Sequence, residues 1–184
     1  MKTIKLLSLS ILASLAFTAC SDDDEASEIV NEEEVITTLT ATLVPGNSTD
    51  TITLKTQDLD GDGPNDPVVT VSGNLAADTT YEGTIVLLNE TESPAENITE
   101  EVEEESDEHQ FFYAISSGLN ATTTYTNFDS NGENLGTEFT LTTGAASSGN
   151  ITFILRHEPK KPNTGSEDAG GETDISATFS VVIE

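Results

Sequence analysis

Alternating aspartates between residues 58 and 66 have the spacing of a calcium-binding loop. The segment Asp58-Leu59-Asp60-Gly61-Asp62-Gly63-Pro64-Asn65-Asp66 fits the pattern D-x-D-x-D-G-x-x-D, in which alternate carboxylates converge on one ion and Gly63 permits a sharp turn. Val69 stands where such loops carry a chelating glutamate, which excludes a complete helix–loop–helix calcium site. The expected cofactor is a structural Ca²⁺, and the alternative is an acidic turn that binds nothing. The candidate ligands are Asp58, Asp60, Asp62, Pro64 (through its carbonyl) and Asp66.

The two histidines form a second candidate site, for a transition metal. His109 ends an acidic run that starts at Glu100, and His157 precedes Glu158 at the end of a predicted strand. Imidazole nitrogens and carboxylates are suitable Zn²⁺ ligands, so His109, His157 and Glu158 are candidate ligands if the strand ends meet. The alternatives are a solvated acidic face that collects cations without specificity, and histidines that are merely packed.

No catalytic arrangement is recognisable in the sequence. It lacks the nucleophile-elbow, zinc-protease, phosphate-loop and dinucleotide-binding motifs. A glycosidase-type carboxylate pair is compatible with so acidic a chain, but the lack of Trp and the 5% aromatic content argue against a sugar-binding cleft. We therefore expect that the protein is not an enzyme.

The charge of the chain excludes one class of partner. The chain has six Lys and Arg but 34 Asp and Glu, which gives a net charge of −28. Nucleic acid binding needs a basic surface, so no nucleic acid partner is expected. Such a surface attracts cations and basic partners, and the alternative is that the charge serves only solubility.

The first 19 residues have the features of an export signal. Lys2 and Lys5 precede an apolar run of 14 residues, Leu6 to Ala19, which is too short to span a bilayer. Phe17-Thr18-Ala19-Cys20 resembles a lipobox, in which the cysteine thiol receives a diacylglycerol. We expect cleavage before Cys20 and membrane attachment through lipid on that residue. The alternative is an ordinary signal peptide.

The residues after Cys20 suggest where the lipid anchor lies. The acidic run resembles the signal that directs lipoproteins of Bacteroidota-type bacteria to the outer face of the outer membrane; the alternative is a plain linker. Residues 20–34 are then a lipidated acidic tether. The expected location is the outer membrane, facing the medium, beside an outer-membrane transporter or another envelope protein. The export-signal residues are Ser21, Asp22, Asp23, Asp24 and Glu25.

Residues 35–184 predict a single all-β domain. Period-two alternation of apolar residues, separated by Gly, Asn and Asp turns, favours an antiparallel immunoglobulin- or fibronectin-III-like sandwich of about 8–9 strands. An acidic insertion, Thr91–Glu108, predicts a short helix or loop. The predicted strands are Glu34–Val44, Thr51–Gln57, Pro67–Gly73, Thr80–Glu90, His109–Ser117, Asn120–Phe128, Thr137–Thr143, Gly149–His157 and Thr173–Glu184.

Two resemblances extend this interpretation. Leu75 precedes Tyr81 by six positions, as in the tyrosine corner of fibronectin-III and other Ig-like domains, where the tyrosine hydroxyl bonds back to the backbone. The whole mature chain resembles small acidic Bacteroidota-type surface lipoproteins, some labelled "type 1 periplasmic binding fold", on stretches such as Thr99-Glu100-Glu101 and Arg156-His157-Glu158-Pro159. That two-lobed α/β fold does not suit a short strand-rich chain. The lipid anchor, the acidic charge and the Asp58–Asp66 loop together favour an envelope lipoprotein that acts as a binding or accessory module, for divalent cations or beside a transporter; the alternative is a structural or adhesive sandwich without a small ligand.

Overall fold

Ten strands and two short helices make up the described part of the chain, which covers residues 34–46, 50–61 and 63–184 of a computed structural model. Nine strands coincide with predicted segments, and the tenth, β5, has only two residues. The first strand begins at Thr38, four residues later than predicted. The elements are β1 (Thr38–Pro45), β2 (Ile52–Gln57), β3 (Val68–Val71), β4 (Thr80–Asn89), β5 (Glu96–Asn97), α1 (Ile98–Glu104), β6 (His109–Ile115), β7 (Ala121–Tyr125), β8 (Glu138–Thr143), β9 (Ser147–His157), α2 (Ser166–Ala169) and β10 (Glu172–Ile183).

The strands form two antiparallel sheets with an immunoglobulin-type order. One sheet runs β3-β2-β1-β4-β8-β7, with β5 paired to β4, and the other runs β10-β9-β6. Without β2, β3 and β5, the two orders are those of strands ABED and CFG in a constant-type immunoglobulin domain. The prediction of an all-β sandwich is therefore confirmed. The β2–β3 hairpin extends one sheet beyond its first strand.

Aromatic side chains fill the space between the sheets. The ring of Phe139 on β8 lies 5.6 Å from that of Phe153 on β9, which in turn lies 5.9 Å from Phe179 on β10. Full burial of such a side chain contributes about 2–3 kcal/mol. Gly83 pairs with Phe139 across the sheet, and a Cβ there would lie 2.4 Å from the phenyl ring. Glycine at position 83 therefore lets the ring lie flat against the neighbouring strand.

The predicted tyrosine corner is present before β4. The backbone N–H of Ala76 donates to the hydroxyl oxygen of Tyr81 over 2.7 Å, and Leu75 is fully buried. In immunoglobulin domains this corner lies at the start of strand F, the sixth strand. Here it lies at the start of β4, which takes the place of strand B in the comparison above. The bond fixes the entry of β4 into the core.

Two insertions contact each other just beyond α1. The side chain of Asn97 caps α1 by accepting from the Thr99 amide, and Ile98 and Val102 bury the helix against the core. Lys161, in the segment between β9 and β10, donates to the Ser106 carbonyl over 2.7 Å, just beyond α1. The predicted short helix in the acidic insertion is thus confirmed.

Several predictions fall on residues outside the described part. These are the leader, the lipidation residue Cys20, the export-signal residues Ser21 to Glu25, and Asp62 of the aspartate loop. Neither described helix has the length or the apolar run needed to span a bilayer.

Candidate metal centre

His109 and His157 are directly opposed on neighbouring strands of the smaller sheet. They are cross-strand partners in the β6–β9 ladder, two pairs beyond Phe111 and Leu155. Because side chains alternate along a strand, both imidazoles face the core with those two residues. The ring centroids are 4.6 Å apart, and both side chains are almost completely buried. The strand ends therefore meet, as the transition-metal prediction requires.

Glu34 reaches the same point from the segment that precedes β1. Its Oε1 lies 2.8 Å from His109 Nε2, and its Oε2 lies 3.6 Å from His157 Nδ1. The carboxylate side chain is only 3% exposed. The following residues are held to β4, where the Thr37 amide donates to the Leu88 carbonyl over 3.0 Å. The last residue of the predicted tether is therefore part of the buried centre.

Asp174 completes the centre because of an irregularity in β10. The β9–β10 register shifts between Thr173 and Ile175, so that Asp174 is the extra residue of a β-bulge. Bulges redirect side chains that regular pairing would point elsewhere. The Asp174 side chain is 3% exposed, and its Oδ1 lies 4.0 Å from His157 Nδ1.

The four side chains converge with a spacing suited to a metal ion. One ligand atom from each of Glu34, His109, His157 and Asp174 lies within 4.8 Å of all the others. In a tetrahedral zinc site with bonds of about 2.0–2.1 Å, neighbouring ligand atoms lie roughly 3.3 Å apart. Small side-chain rotations would close the remaining distance.

The end of the acidic insertion orients the His109 ring. His109 Nδ1 lies 3.2 Å from the carbonyl oxygen of Glu105, one residue beyond α1. A carbonyl oxygen can only accept, so this contact favours the proton on Nδ1, and in the neutral imidazole the lone pair is then on Nε2. Metal-bound histidines commonly use their second nitrogen in this way. In that neutral tautomer, the nitrogen nearest Glu34 is the one able to bind a cation.

The polar atoms at the centre lack hydrogen bonds that would explain their burial. Glu34 Oε2 and His109 Nε2 are buried without a hydrogen-bond partner among the described residues. His109 Nε2 lies at ion-pair distance from Glu34 Oε1 but lacks the alignment of a hydrogen bond. Burial of charged or polar groups without such bonds is costly. One divalent cation would balance the two carboxylate charges and use the free lone pairs.

Neighbouring carboxylates add to the negative potential here. Loss of hydration, together with the charges of Glu34 and Glu105, raises the pKa of Glu101 above its ordinary value, and His109 partly offsets this effect. A site in such a field favours cations over anions.

The aspartate loop is built differently. Asp60 Oδ2 accepts from the Asn65 amide group over 2.6 Å, and the Asp60 amide donates to Asp58 Oδ1 over 3.3 Å. Asp60, Pro64 and Asp66 are exposed to solvent. Within the described residues, the loop contributes to neither of the two groups whose spacing suits a metal. The calcium hypothesis therefore remains a prediction from sequence.

The sequence identified half of the buried centre. His109 and His157 were candidate ligands, whereas Glu158 lies on the outer side of His157, in a separate group with Glu108. Glu34 was missed because it ends a run of similar glutamates. Asp174 was missed because simple alternation points it to the face of β10 away from its neighbour Ile175, and no local motif predicts the bulge.

Comparison with known proteins does not add to this picture. No family model matches the chain, and no curated protein or solved structure was found to match it. Geometry and chemistry therefore carry the functional interpretation.

Proposed function

We propose that this domain binds a divalent transition-metal cation, with Zn²⁺ as the first candidate, through Glu34, His109, His157 and Asp174. The observation that carries the proposal is the buried convergence of two imidazoles and two carboxylates whose ligand atoms all lie within 4.8 Å of one another. Segments far apart in the sequence supply these groups. Buried positions are mostly occupied by apolar side chains, so four polar ligands that converge at one are unusual.

The ligand types distinguish between classes of cation. Ca²⁺ and Mg²⁺ prefer oxygen ligands, whereas imidazole suits Zn²⁺, Cu²⁺, Fe²⁺ and Ni²⁺. Four protein ligands closed from solvent leave no position open for substrate, as in structural zinc sites, although those sites carry cysteine where this centre has imidazoles and carboxylates. This supports binding of the ion and gives no support to catalysis.

We further propose that the domain works at the cell envelope as a lipoprotein, on the basis of the predicted lipid attachment at Cys20 and the segment Ser21 to Glu25, in which four residues are acidic. Replacement of Cys20 by Ser should move the protein from the membrane fraction to the soluble fraction. Protease treatment of intact cells tests whether the domain faces the medium. Retention of the variant in the membrane fraction would contradict the lipid anchor.

Calorimetric titration of metal-free protein with ZnCl₂ tests the main proposal. We expect saturable binding that Glu34→Gln weakens strongly, because this change removes a ligand charge while keeping the side-chain shape. Glu82→Gln is a matched control, since Glu82 is exposed on β4, away from the centre. The absence of binding by the unaltered protein would favour the alternative, a structural or adhesive envelope domain without a small ligand.

A further inference from the structure

A second group of potential ligands lies on the outer side of His157. Glu108, His157 and Glu158 each offer an atom within 4.8 Å of the others. Glu108 immediately precedes β6, and Glu158 immediately follows β9, so both carboxylates stand at the same end of this sheet. The Glu108 side chain is 53% exposed, in contrast to the buried ligands of the first centre.

The two ring nitrogens of His157 face different groups. Nδ1 lies 3.6 Å from Glu34 Oε2, inside the buried centre, whereas Nε2 lies 4.0 Å from Glu108 Oε2. Nε2 is buried and has no hydrogen-bond partner among the described residues, and the His157 side chain is 96% buried. A buried nitrogen without a partner, directed at an exposed carboxylate, is what distinguishes this group from an ordinary acidic patch.

The backbone holds the outer carboxylates next to the ring. The Glu158 amide donates to the Glu108 carbonyl over 2.7 Å, which joins the two strand ends. Glu158 has a φ of +47°, an unfavourable conformation for a residue with a side chain. Gly171 packs against this turn so closely that a Cβ would lie 2.2 Å from the His157 carbonyl oxygen. The turn after β9 is thus fixed by its surroundings.

We propose that Glu108, Glu158 and Nε2 of His157 form a second, exposed position for a divalent transition-metal cation, next to the buried one. This inference rests on the proposed function, because both positions use the same imidazole. A neutral imidazole has one ring lone pair, so when both ions are bound the ring releases its N–H proton to solvent and bridges them as an imidazolate. The outer position has three ligands from the chain and leaves room for water, so its ion exchanges with solvent. His157 lies between the two positions, and the outer one is the side from which a cation reaches the closed centre.

The number of Zn²⁺ ions bound per chain tests the proposal. Native mass spectrometry and calorimetry of the purified protein should detect two ions, the second with an affinity at least about tenfold weaker because solvent screens its ligands. The double variant Glu108→Gln/Glu158→Gln should keep the tight ion and lose the weak one. Glu82→Gln/Glu138→Gln removes the same charge from exposed positions on β4 and β8 and should keep both.

The possible outcomes separate the two proposals. One tight ion in the unaltered protein, lost in Glu34→Gln but kept in Glu108→Gln/Glu158→Gln, would overturn the outer position and leave the proposed function intact. No bound ion at all would overturn the proposed function itself. Loss of the weak ion in the control double variant would show that it binds through general charge, which also overturns the outer position. Both double variants replace exposed residues, and circular dichroism verifies that they fold.

Discussion

The aspartate loop and the buried centre use similar side chains in opposite ways. The loop's candidate ligands are close together in sequence; Asp60, Pro64 and Asp66 are exposed to solvent, and Asp60 already accepts a hydrogen bond from Asn65. Those of the centre come from the segment before β1 and from β6, β9 and the bulge of β10, and they are shielded from water. The loop has the more recognisable sequence pattern, whereas the centre has ligand atoms that converge and buried polar atoms that lack hydrogen bonds.

This difference concerns the source of binding energy. An exposed carboxylate exchanges hydration for metal ligation at little net gain, while a buried carboxylate has already lost its water through folding. A centre assembled by the fold is therefore expected to bind transition metals more tightly than the loop binds Ca²⁺. The following experiments test this ranking.

Loss of one buried ligand should have the largest effect. Structural zinc sites bind with about 10–16 kcal/mol, so one of four ligands contributes roughly 3–4 kcal/mol, or about 100–1000-fold in Kd. His109→Ala should weaken Zn²⁺ binding by this factor in a chelator-competition titration. Asp60→Asn in the loop should leave the Zn²⁺ affinity unchanged, and an equal loss in both variants would remove the distinction between the two regions.

Zn²⁺ should stabilise the fold more than Ca²⁺ does at the same concentration. A ligand present at about 100 times its Kd stabilises the folded state by roughly 2.7 kcal/mol, which raises Tm by about 5–10 °C for a domain of this size. Differential scanning calorimetry with each ion measures the shift. A larger shift with Ca²⁺ would reverse the ranking.

A buried carboxylate whose partners are already present provides a third point of comparison. Lys161 Nζ lies 3.1 Å from Asp129 Oδ2, and the backbone amides of Asn131 and Glu133 donate to Oδ1. Although burial raises the pKa of Asp129, these hydrogen bonds outweigh it and hold the pKa below its ordinary value. This carboxylate therefore needs no metal.

Asp129→Ala should destabilise the fold by about 2 kcal/mol with or without Zn²⁺, as judged by urea unfolding. Because the folded-state pKa is lowered, the contribution of Asp129 is complete above about pH 4 and is lost as the pH falls through the folded-state value. The difference between the unaltered protein and the variant should thus shrink in acid. A difference that persists at low pH would contradict this account.

Removal of loop carboxylates should have the smallest effect. Exposed extracellular calcium loops bind with a Kd of about 10⁻⁴–10⁻³ M, so 1 mM Ca²⁺ stabilises the fold by about 0.4–1.4 kcal/mol. Asp58→Asn/Asp66→Asn should abolish this small Ca²⁺-dependent rise in Tm. An unaltered protein whose Tm does not respond to Ca²⁺ would identify the loop as an acidic turn.

Local patterns in the sequence predicted the local parts of this structure. Alternation along β9 placed Ile151, Phe153 and Leu155 on one face, and the spacing of Leu75 and Tyr81 predicted the hydroxyl–backbone bond. These features depend on residues near one another in the chain. The order of strands in the sheets depends on long-range pairing, so the sequence left it open.

The ligands of the buried centre depend on long-range features that no local sequence pattern shows. His109 and His157 are the two histidines of the chain and were candidate ligands for that reason, but their pairing depends on the β6–β9 register. Glu34 is one of 34 acidic residues and has no distinguishing neighbour. The inward direction of Asp174 results from a one-residue shift that reverses the expected alternation. Three-dimensional proximity was needed to select these two carboxylates.

The position of Glu34 has a mechanical consequence. If Cys20 carries lipid as predicted, a pulling force between the membrane and the sandwich enters the described domain through residue 34, before it reaches the hydrogen bonds of β1. A bound ion would tie that residue to β6, β9 and β10, so the load would spread over the smaller sheet as well. Metal occupancy would then set the force at which the first strand begins to peel away.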